Sequence, residues 1–251
     1  MILGRRTLFC LCLVLICRSS IASWDFWPFN INKIKTPTVK IIPETYGNFI
    51  YVKSIDEAEY RPLINSIDTF LNNYERHNRE ENVVHCDFNN GPAADKVCAF
   101  STQSLGLCSR NDFGFSRSSP CLYFTLSEVS DWAPTSLNGS DIQQHSDPFL
   151  NLPRDLKEVI NHTENRNPME KYIWFSCDGE LPADKEFIGP ISYFPQRGFP
   201  VYYFPVKNVP GYQLLQYGGV VISIECKAWA KNIELNRDSG VGYVKFELLI
   251  D

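Results

Sequence analysis

The sequence lacks any cluster of basic residues: its 24 lysines and arginines are outnumbered by 29 acidic residues, for a formal net charge of -5 at pH 7. Proteins that bind nucleic-acid phosphates present a concentrated basic surface, so we expect no nucleic-acid partner. The chain also has only four scattered histidines, no paired Cys-x-x-Cys motif and no glycine-rich phosphate loop. We therefore expect neither a metal ion nor a cofactor.

A catalytic set is missing as well, because no candidate nucleophile has a recognisable general base beside it. His85, Cys86 and Asp87 are adjacent, but a cysteine from an even set predicts a disulfide rather than a nucleophile. An acidic group in the second half lacks the ligand spacing of a calcium loop, and a solvated turn is the simpler interpretation. Its members are Asp178, Glu180, Asp184 and Glu186. We expect no enzymatic activity.

The N-terminal segment has no hydrophobic run long enough to cross a bilayer. Two arginines precede an apolar run of about ten residues, and Arg18 ends this run at about half the length of a membrane-spanning helix. Small residues then occupy the positions that a signal peptidase reads. We interpret residues 1–22 as a signal peptide, with a short N-terminal anchor as the alternative. Residues 23–48 form an extended arm, or alternatively a segment at a membrane interface.

The nine cysteines divide into three in the N-terminal apolar run and six in the body of the chain. An even set of six suits three disulfides formed in an oxidising compartment. Two sequons, at Asn138 and Asn161, predict N-glycans added in the same compartment. Together these features predict a protein of the secretory pathway. The six cysteines are Cys86, Cys98, Cys108, Cys121, Cys177 and Cys226.

Alternating apolar residues predict strands in the second half of the chain. Val220–Ala228, Val244–Ile250 and Tyr172–Cys177 each place every second side chain on one face. Cys177 and Cys226 then both face the core. A disulfide between two inward-facing strand cysteines, about fifty residues apart, is typical of an immunoglobulin-like sandwich. We therefore predict a mainly β fold, an immunoglobulin-like antiparallel β-sandwich with one amphipathic helix and three disulfides.

The amphipathic helix is predicted from apolar residues spaced by three and four between about Ile55 and Tyr74. Pro62 lies inside this pattern and should begin or kink the helix. Phe49–Val52 is a short strand candidate before it. The polar stretch Thr135–Asn167 is expected to be an exposed insertion with at most one short helix, at Arg154–Ile160.

Several motifs occur in a fixed order from about Pro43 onwards. They are Ser119-Pro120-Cys121, Ser176-Cys177-Asp178-Gly179-Glu180, Ile188-Gly189-Pro190-Ile191-Ser192-Tyr193-Phe194-Pro195, Gly198-Phe199-Pro200 with Tyr202-Tyr203-Phe204-Pro205, Glu225-Cys226-Lys227-Ala228-Trp229, and Phe246-Glu247-Leu248-Leu249-Ile250-Asp251. In this order they closely resemble the ectodomain of sodium/potassium-transporting ATPase β-subunits, especially those of the insect type. Residues 49–251 are accordingly expected to form a β-subunit-like ectodomain. The stretch Tyr212–Gly219 is shorter than in the family.

The resemblance implies a non-catalytic accessory glycoprotein of a P-type sodium/potassium-transporting ATPase, which assists folding, delivery and cation handling of the α-subunit. It implies a location at the extracellular face of the plasma membrane, with membrane association through the partner or a short N-terminal anchor. The alternative is a secreted β-subunit-like protein with a binding or adhesion role and no role in pumping.

The resemblance also implies which residues pair and which contact the partner. The implied disulfides are Cys86 with Cys98, Cys108 with Cys121, and Cys177 with Cys226. The side chains implied to contact the α-subunit are Tyr193, Phe194, Tyr202, Tyr203, Phe204 and Tyr212.

Overall fold

The computed structural model describes residues 36–86, 91–93, 96–109, 112–127, 129, 132–143, 151–204, 211–214 and 219–251. The predicted signal peptide and the start of the arm lie outside these ranges. The strands are β1 (Val39–Ile42), β2 (Phe49–Val52), β3 (Val83–Val84), β4 (Val97–Cys98), β5 (Cys121–Leu126), β6 (Tyr172–Gly179), β7 (Ile191–Phe194), β8 (Gly198–Pro200), β9 (Gly211–Leu214), β10 (Ile222–Trp229) and β11 (Tyr243–Ile250). The α-helices are α1 (Glu57–His77), α2 (Gly139–Gln143), α3 (Arg154–Arg166) and α4 (Pro182–Phe187).

Two sheets form the body of the fold. One has four strands in the order β1-β5-β9-β7, and the other has five in the order β2-β11-β10-β6-β8. Pairing in both sheets is antiparallel except between β2 and β11, which are parallel. β1 lies within the range expected to be an arm, where it pairs with β5. The predicted β-rich fold is therefore confirmed. Two strand pairs are parallel and not antiparallel as predicted, β2 with β11 and, in a separate two-stranded sheet, β3 with β4.

The two sheets and α1 share one hydrophobic core. Phe124 of β5 approaches Phe246 of β11, with 6.2 Å between ring centroids, so the sheets pack face to face. Every second residue of β10 and β11 is buried, as their alternation predicts. Val220, which was expected to continue this inward-facing set, precedes β10 and is exposed.

Helix α1 closes the core with one buried face, formed by Tyr60, Ile64, Ile67 and Leu71. It begins at Glu57, five residues before Pro62, so the prediction that Pro62 begins the helix is wrong. Proline removes the hydrogen bond that would reach the carbonyl of Ala58. Ala58 is on the exposed side of the helix, where its carbonyl is accessible to solvent.

The structure contains the three disulfides that the resemblance implies, Cys86–Cys98, Cys108–Cys121 and Cys177–Cys226. Cys177 and Cys226 are directly opposite each other on the neighbouring strands β6 and β10. In immunoglobulin domains the corresponding bond joins two sheets. Here it lies within the five-stranded sheet, so the immunoglobulin-like placement of this disulfide is wrong although both cysteines face the core.

Residues 135–143 and 151–167, the described parts of the stretch 135–167, are not the exposed insertion that its polar composition predicts. α2 and a longer α3 pack against the outer face of the five-stranded sheet and build a second hydrophobic core. The prediction was wrong because the large aromatic side chains that cover the apolar residues of these helices come from the sheet and lie outside this stretch of sequence. Its buried members are Leu137, Leu152, Leu156, Ile160, Tyr172, Trp174 and Trp229.

Arg197 connects the helical layer to the sheets. Its Nε donates a hydrogen bond to the carbonyl of Phe175 at 3.1 Å, and its Nη1 binds a carboxylate oxygen of Asp155 in α3 at 2.5 Å. Its guanidinium also lies over the ring of Tyr193, 4.9 Å from the centroid. The Arg197 side chain is only 12% exposed, so these contacts satisfy a cation that water barely reaches.

Removing a disulfide should destabilise the fold according to the length of loop that it closes. In the chain-entropy model, the loop of 49 residues between Cys177 and Cys226 is worth roughly 4 kcal/mol and the loop of 12 between Cys86 and Cys98 roughly 3 kcal/mol. We therefore expect Cys177→Ala/Cys226→Ala to have the lower urea midpoint of the two paired variants. The opposite order would show that native-state packing outweighs loop entropy here.

Replacing Asp155 by asparagine should destabilise the fold at neutral pH by about 1 kcal/mol, because Arg197 loses its carboxylate but the pair is partly screened by solvent on the exposed Asp155 side. Burial alone raises the pKa of Asp155, but the hydrogen bond and charge of Arg197, with backbone hydrogen bonds from Leu156 and from Asp155 itself, outweigh it and lower that pKa. A carboxyl group whose pKa is lowered by folding stabilises the folded state at pH values above its unfolded pKa of about 3.9. This stabilisation is lost as the pH falls through the folded pKa. The difference between wild type and Asp155→Asn should thus shrink in acid.

The matched control is Glu158→Gln on the same helix, since Glu158 pairs only with the exposed Arg154. Urea unfolding at pH 7 and at pH 3 should show little change for this variant. An equal loss for the two variants at pH 7, or a loss for Asp155→Asn that does not depend on pH, would contradict the assigned role of Asp155.

Candidate partner-binding site

The six aromatic residues implied to contact a partner lie on three segments of the fold. Tyr193 and Phe194 belong to β7, the edge strand of the four-stranded sheet, while Tyr202 and Tyr203 form a 3-10 turn directly after β8. The backbone of Tyr212 lies in β9, opposite Tyr193 on one side and Leu122 on the other. The structure thus brings Tyr193 and the backbone of Tyr212 together, whereas Tyr202 and Tyr203 follow a strand of the other sheet.

Most of the Tyr193 side chain is packed against the rest of the fold. Its hydroxyl accepts a hydrogen bond from the backbone N–H of Cys177 at 3.1 Å, and Arg197 covers its ring. Burial raises the pKa of the Tyr193 phenol, which therefore remains neutral at physiological pH. Tyr193 thus connects β7 to the strand that carries Cys177, and its ring offers a partner little free surface.

Phe194 packs on the backbone of Gly106 in the neighbouring 3-10 segment. Gly106 has a positive φ of 57°, and a Cβ at this position would lie 3.0 Å from the Phe194 ring. A side chain at position 106 would therefore collide with Phe194 and would also be strained. The glycine allows β7 to lie close to the segment that carries Cys108.

Tyr203 and Phe204 are members of an aromatic cluster. Tyr203 lies 4.8 Å from Phe199 and 6.1 Å from Phe100 between ring centroids, and Phe204 lies 5.8 Å from Trp132. Burial raises the pKa of the Tyr203 phenol. Contacts of this number and geometry stabilise the fold itself, so both rings have a structural role whether or not a partner binds.

Tyr202 adjoins this cluster. Its ring lies 4.7 Å from the ring of Tyr203, and its side chain is half-buried. The adjoining two-stranded sheet holds the Cys86–Cys98 disulfide, and its strand β4 contacts the 3-10 turn that carries Tyr202. The disulfide therefore restrains the backbone that carries Tyr202.

Three of the four acidic residues considered as calcium ligands, Asp178, Glu180 and Asp184, have protein partners. Lys185 binds Asp178 at 2.7 Å, and Glu180 accepts from Arg237 and from Lys245. Asp184 accepts backbone hydrogen bonds from Leu181 and Ser223. Across the ranges that the structure describes, no group of three His, Cys, Asp or Glu residues is arranged to hold a metal. The charges on this face are arranged as a network of ion pairs and caps.

Both sequons lie on the helical layer. The side-chain oxygen of Asn138 accepts from the Ser140 hydroxyl at 2.6 Å and from the N–H of Asp141 at 3.0 Å, which caps α2. Asn161 lies in the middle of α3, and its side-chain oxygen is 2.7 Å from the point where a Cβ on Gly139 would lie. The two predicted glycosylation sites are thus neighbours on the side that α2 and α3 cover.

Sequence reasoning missed Arg197, which holds Tyr193 and α3 in place. A single arginine between a glutamine and a glycine gives no periodic signal, and its partners come from three separate elements. Among the described residues, no helix combines the length and hydrophobicity that a membrane span requires.

Comparison with known proteins identifies the family. The family model described as "Sodium / potassium ATPase beta chain" matches residues 6–246. The chain is 34% identical over 219 residues to sodium/potassium-transporting ATPase subunit beta-2 of Drosophila melanogaster, and 34% identical over 217 residues to subunit beta-1 of the same species. Both alignments cover 82% of this chain but 66% of the relative, so the chain spans slightly less than two thirds of their length. A probable subunit beta-3 of Caenorhabditis briggsae is 24% identical over 210 residues, covering 78% of this chain and 59% of that protein. This chain belongs to the sodium/potassium ATPase beta chain family.

Proposed function

We propose that the chain is a non-catalytic, β-subunit-like accessory glycoprotein that binds the α-subunit of a P-type sodium/potassium-transporting ATPase. In this role it assists folding, delivery and cation handling of the α-subunit, which carries out the chemistry. The observation that carries the proposal is the family match over residues 6–246, because it spans both sheets, the three disulfides and the aromatic segment.

The geometry of the aromatic segment supports a binding role, because contacts with the rest of the fold restrain its surface. β7 is an edge strand, the ring of Tyr193 is fixed by Arg197, and the Cys86–Cys98 disulfide restrains the turn that carries Tyr202. A preordered surface loses little conformational entropy when a partner binds. Aromatic residues at such positions often contribute most of the binding energy.

The proposed location follows from the disulfides and sequons. Three disulfides require an oxidising compartment, and N-glycans are added in the secretory pathway. We infer that residues 36–251 face the lumen and later the extracellular space beside the pump. Association with the membrane occurs through the α-subunit or through the N-terminal segment.

Alanine substitutions at Tyr202 and at Tyr203 distinguish an effect on partner binding from an effect on folding. We expect Tyr202→Ala to reduce recovery of a co-expressed α-subunit several-fold, because Tyr202 is one of the half-buried aromatic residues of the proposed binding surface. Tyr203→Ala should instead lower the stability of the chain by about 2 kcal/mol, because it removes ring contacts from the core. Co-purification from detergent extracts measures the first effect, and urea unfolding of the purified chain measures the second.

Met169→Ala is the control for Tyr202→Ala. Met169 is 75% exposed, and it lies in the turn between α3 and β6. We expect it to change neither α-subunit recovery nor stability. If wild type recovers no α-subunit from membranes, or if Tyr202→Ala and Met169→Ala bind it equally well, the proposed binding surface is wrong.

Ser140→Ala and Thr163→Ala test the two sequons without changing the asparagines themselves. This choice matters because Asn138 caps α2. Each variant should shift the chain on a denaturing gel by the mass of one glycan, and glycosidase treatment should make all forms migrate alike. No shift for either variant would show that neither Asn138 nor Asn161 is glycosylated.

A further inference from the structure

Exposed apolar side chains are concentrated at one corner of the five-stranded sheet. Of ten large hydrophobic residues that are exposed in the described part of the chain, six belong to this corner or to the turns that border it. They are Tyr46, Phe49, Tyr51, Ile55, Val220 and Val221. Scattered exposed hydrophobics are ordinary, whereas a contiguous group of this kind marks an interaction surface.

The strand register shows that the group is contiguous. Tyr51 of β2 is opposite Leu249 of β11, and the pairing of Ile222 with Leu248 places Val221 next to Leu249 on the same outer face. An apolar row therefore crosses three strands and ends at the edge of the sheet. Phe49, Tyr51 and Leu249 also line a shallow cleft of about 480 Å³ together with Gly219 and Asp251.

β2 is an edge strand with backbone groups available for pairing. The carbonyl of Val52 accepts from the N–H of Asp251, and the N–H of Ser54 donates to the carbonyl of Asp251, so the even-numbered residues face β11. Since polar groups alternate along a strand, the N–H and C=O groups of Phe49 and Tyr51 face the free edge. An edge with outward apolar side chains is a template for another strand.

We propose that this corner binds a second copy of the same chain, through antiparallel pairing of β2 with β2 of the partner copy. The pairing that uses the free groups of both strands places Phe49 of each copy opposite Tyr51 of the other, with the two-fold axis at Ile50. Two aromatic pairs then form at the centre, where such cross-strand pairs stabilise most. The five-stranded sheets of the two copies then join into a single sheet of ten strands.

The paired segment begins at Phe49. A 3-10 turn, Tyr46–Asn48, precedes β2 and has positive φ values at Gly47 and Asn48, so the extended pairing does not continue through it. The exposed side chains of Tyr46 and Ile55 border the paired strands and add apolar surface at the two ends of the interface.

The amount of apolar surface suits a self-associating patch. With aromatic side chains presenting roughly 150–250 Å² each, the exposed fractions at this corner amount to on the order of 600 Å² per copy. A typical stable interface buries about 800 Å² per partner, including its polar rim. The paired backbones and the rim residues supply the remainder, and this predicts a dimer of moderate affinity.

The helical layer leaves this edge accessible. α2 and α3, which carry both sequons, pack on Tyr172 and Trp174 of β6 and on Trp229 of β10. β2 is at the opposite end of the strand order β2-β11-β10-β6-β8. Glycans at Asn138 and Asn161 would therefore extend away from the proposed interface.

The first test measures the mass of the full chain, expressed and purified without any ATPase subunit, by light scattering over a range of concentrations. We expect a concentration-dependent dimer, and we expect Tyr51→Lys to lower the dimer fraction at least five-fold. The control is Met169→Lys, which adds the same charge at a site that is 75% exposed and far along the chain from β2. It should dimerise like wild type.

The second test is specific to the register and does not require a destabilising charge. Two differently tagged copies, one with Phe49→Cys and the other with Tyr51→Cys, should form a disulfide-linked heterodimer on mild oxidation. A pair that carries Phe49→Cys in both copies should cross-link several-fold less.

A wild-type chain that stays monomeric at all concentrations, or equal cross-linking of both cysteine pairs, would overturn the proposal. So would an equal loss of dimer in Tyr51→Lys and Met169→Lys. If the purified chain is monomeric and Tyr51→Lys instead weakens recovery of the α-subunit, the corner belongs to that partner and the second-copy proposal fails.

Discussion

The burial of β6 on both of its faces is the constraint on which the rest of the fold depends. Ile173 and Phe175 face the core shared by the two sheets, whereas Tyr172 and Trp174 face the small core beneath α2 and α3. A strand in this position needs a complete layer on either side, because uncovered aromatic surface and unpaired backbone groups are both costly. The helical layer is therefore an integral part of the domain.

Several interactions fix β6 at different points along its length. Arg197 binds the Phe175 carbonyl, the Ser176 hydroxyl accepts a hydrogen bond from the Trp229 indole at 2.8 Å, and Cys177 is bonded to Cys226. The same Arg197 and the hydroxyl of Tyr193 connect β6 to β7, the strand at the start of the aromatic segment. The proposed binding surface is thus mechanically coupled to the centre of the five-stranded sheet.

Local patterns in the sequence predicted the elements, and long-range contacts decided the details. Alternation located β6, β10 and β11 and predicted correctly that Cys177 and Cys226 face the core. Whether that disulfide lies within a sheet or between sheets depends on strand order, which alternation does not contain. The helical layer was missed for a related reason. Its own sequence is mostly polar, and its hydrophobic core is completed by aromatic residues of the strands β6 and β10. For the aromatic segment, the family resemblance implied a surface, and only the contacts with Phe100, Trp132 and Phe199 show how many of its rings face inwards.

The parallel pairing of β2 with β11 sets the order in which the domain can be completed during synthesis. Phe49 and Glu247 are partners, although almost the whole described chain separates them. Because translation proceeds from the N-terminus, β2 has no sheet neighbour until β11 emerges from the ribosome and folds. For most of its synthesis the nascent chain therefore has an apolar strand with no sheet partner, and such a strand is prone to wrong pairing. The five-stranded sheet is therefore completed late, and a chain interrupted before residue 243 would leave β2 unpaired whatever the state of its disulfides.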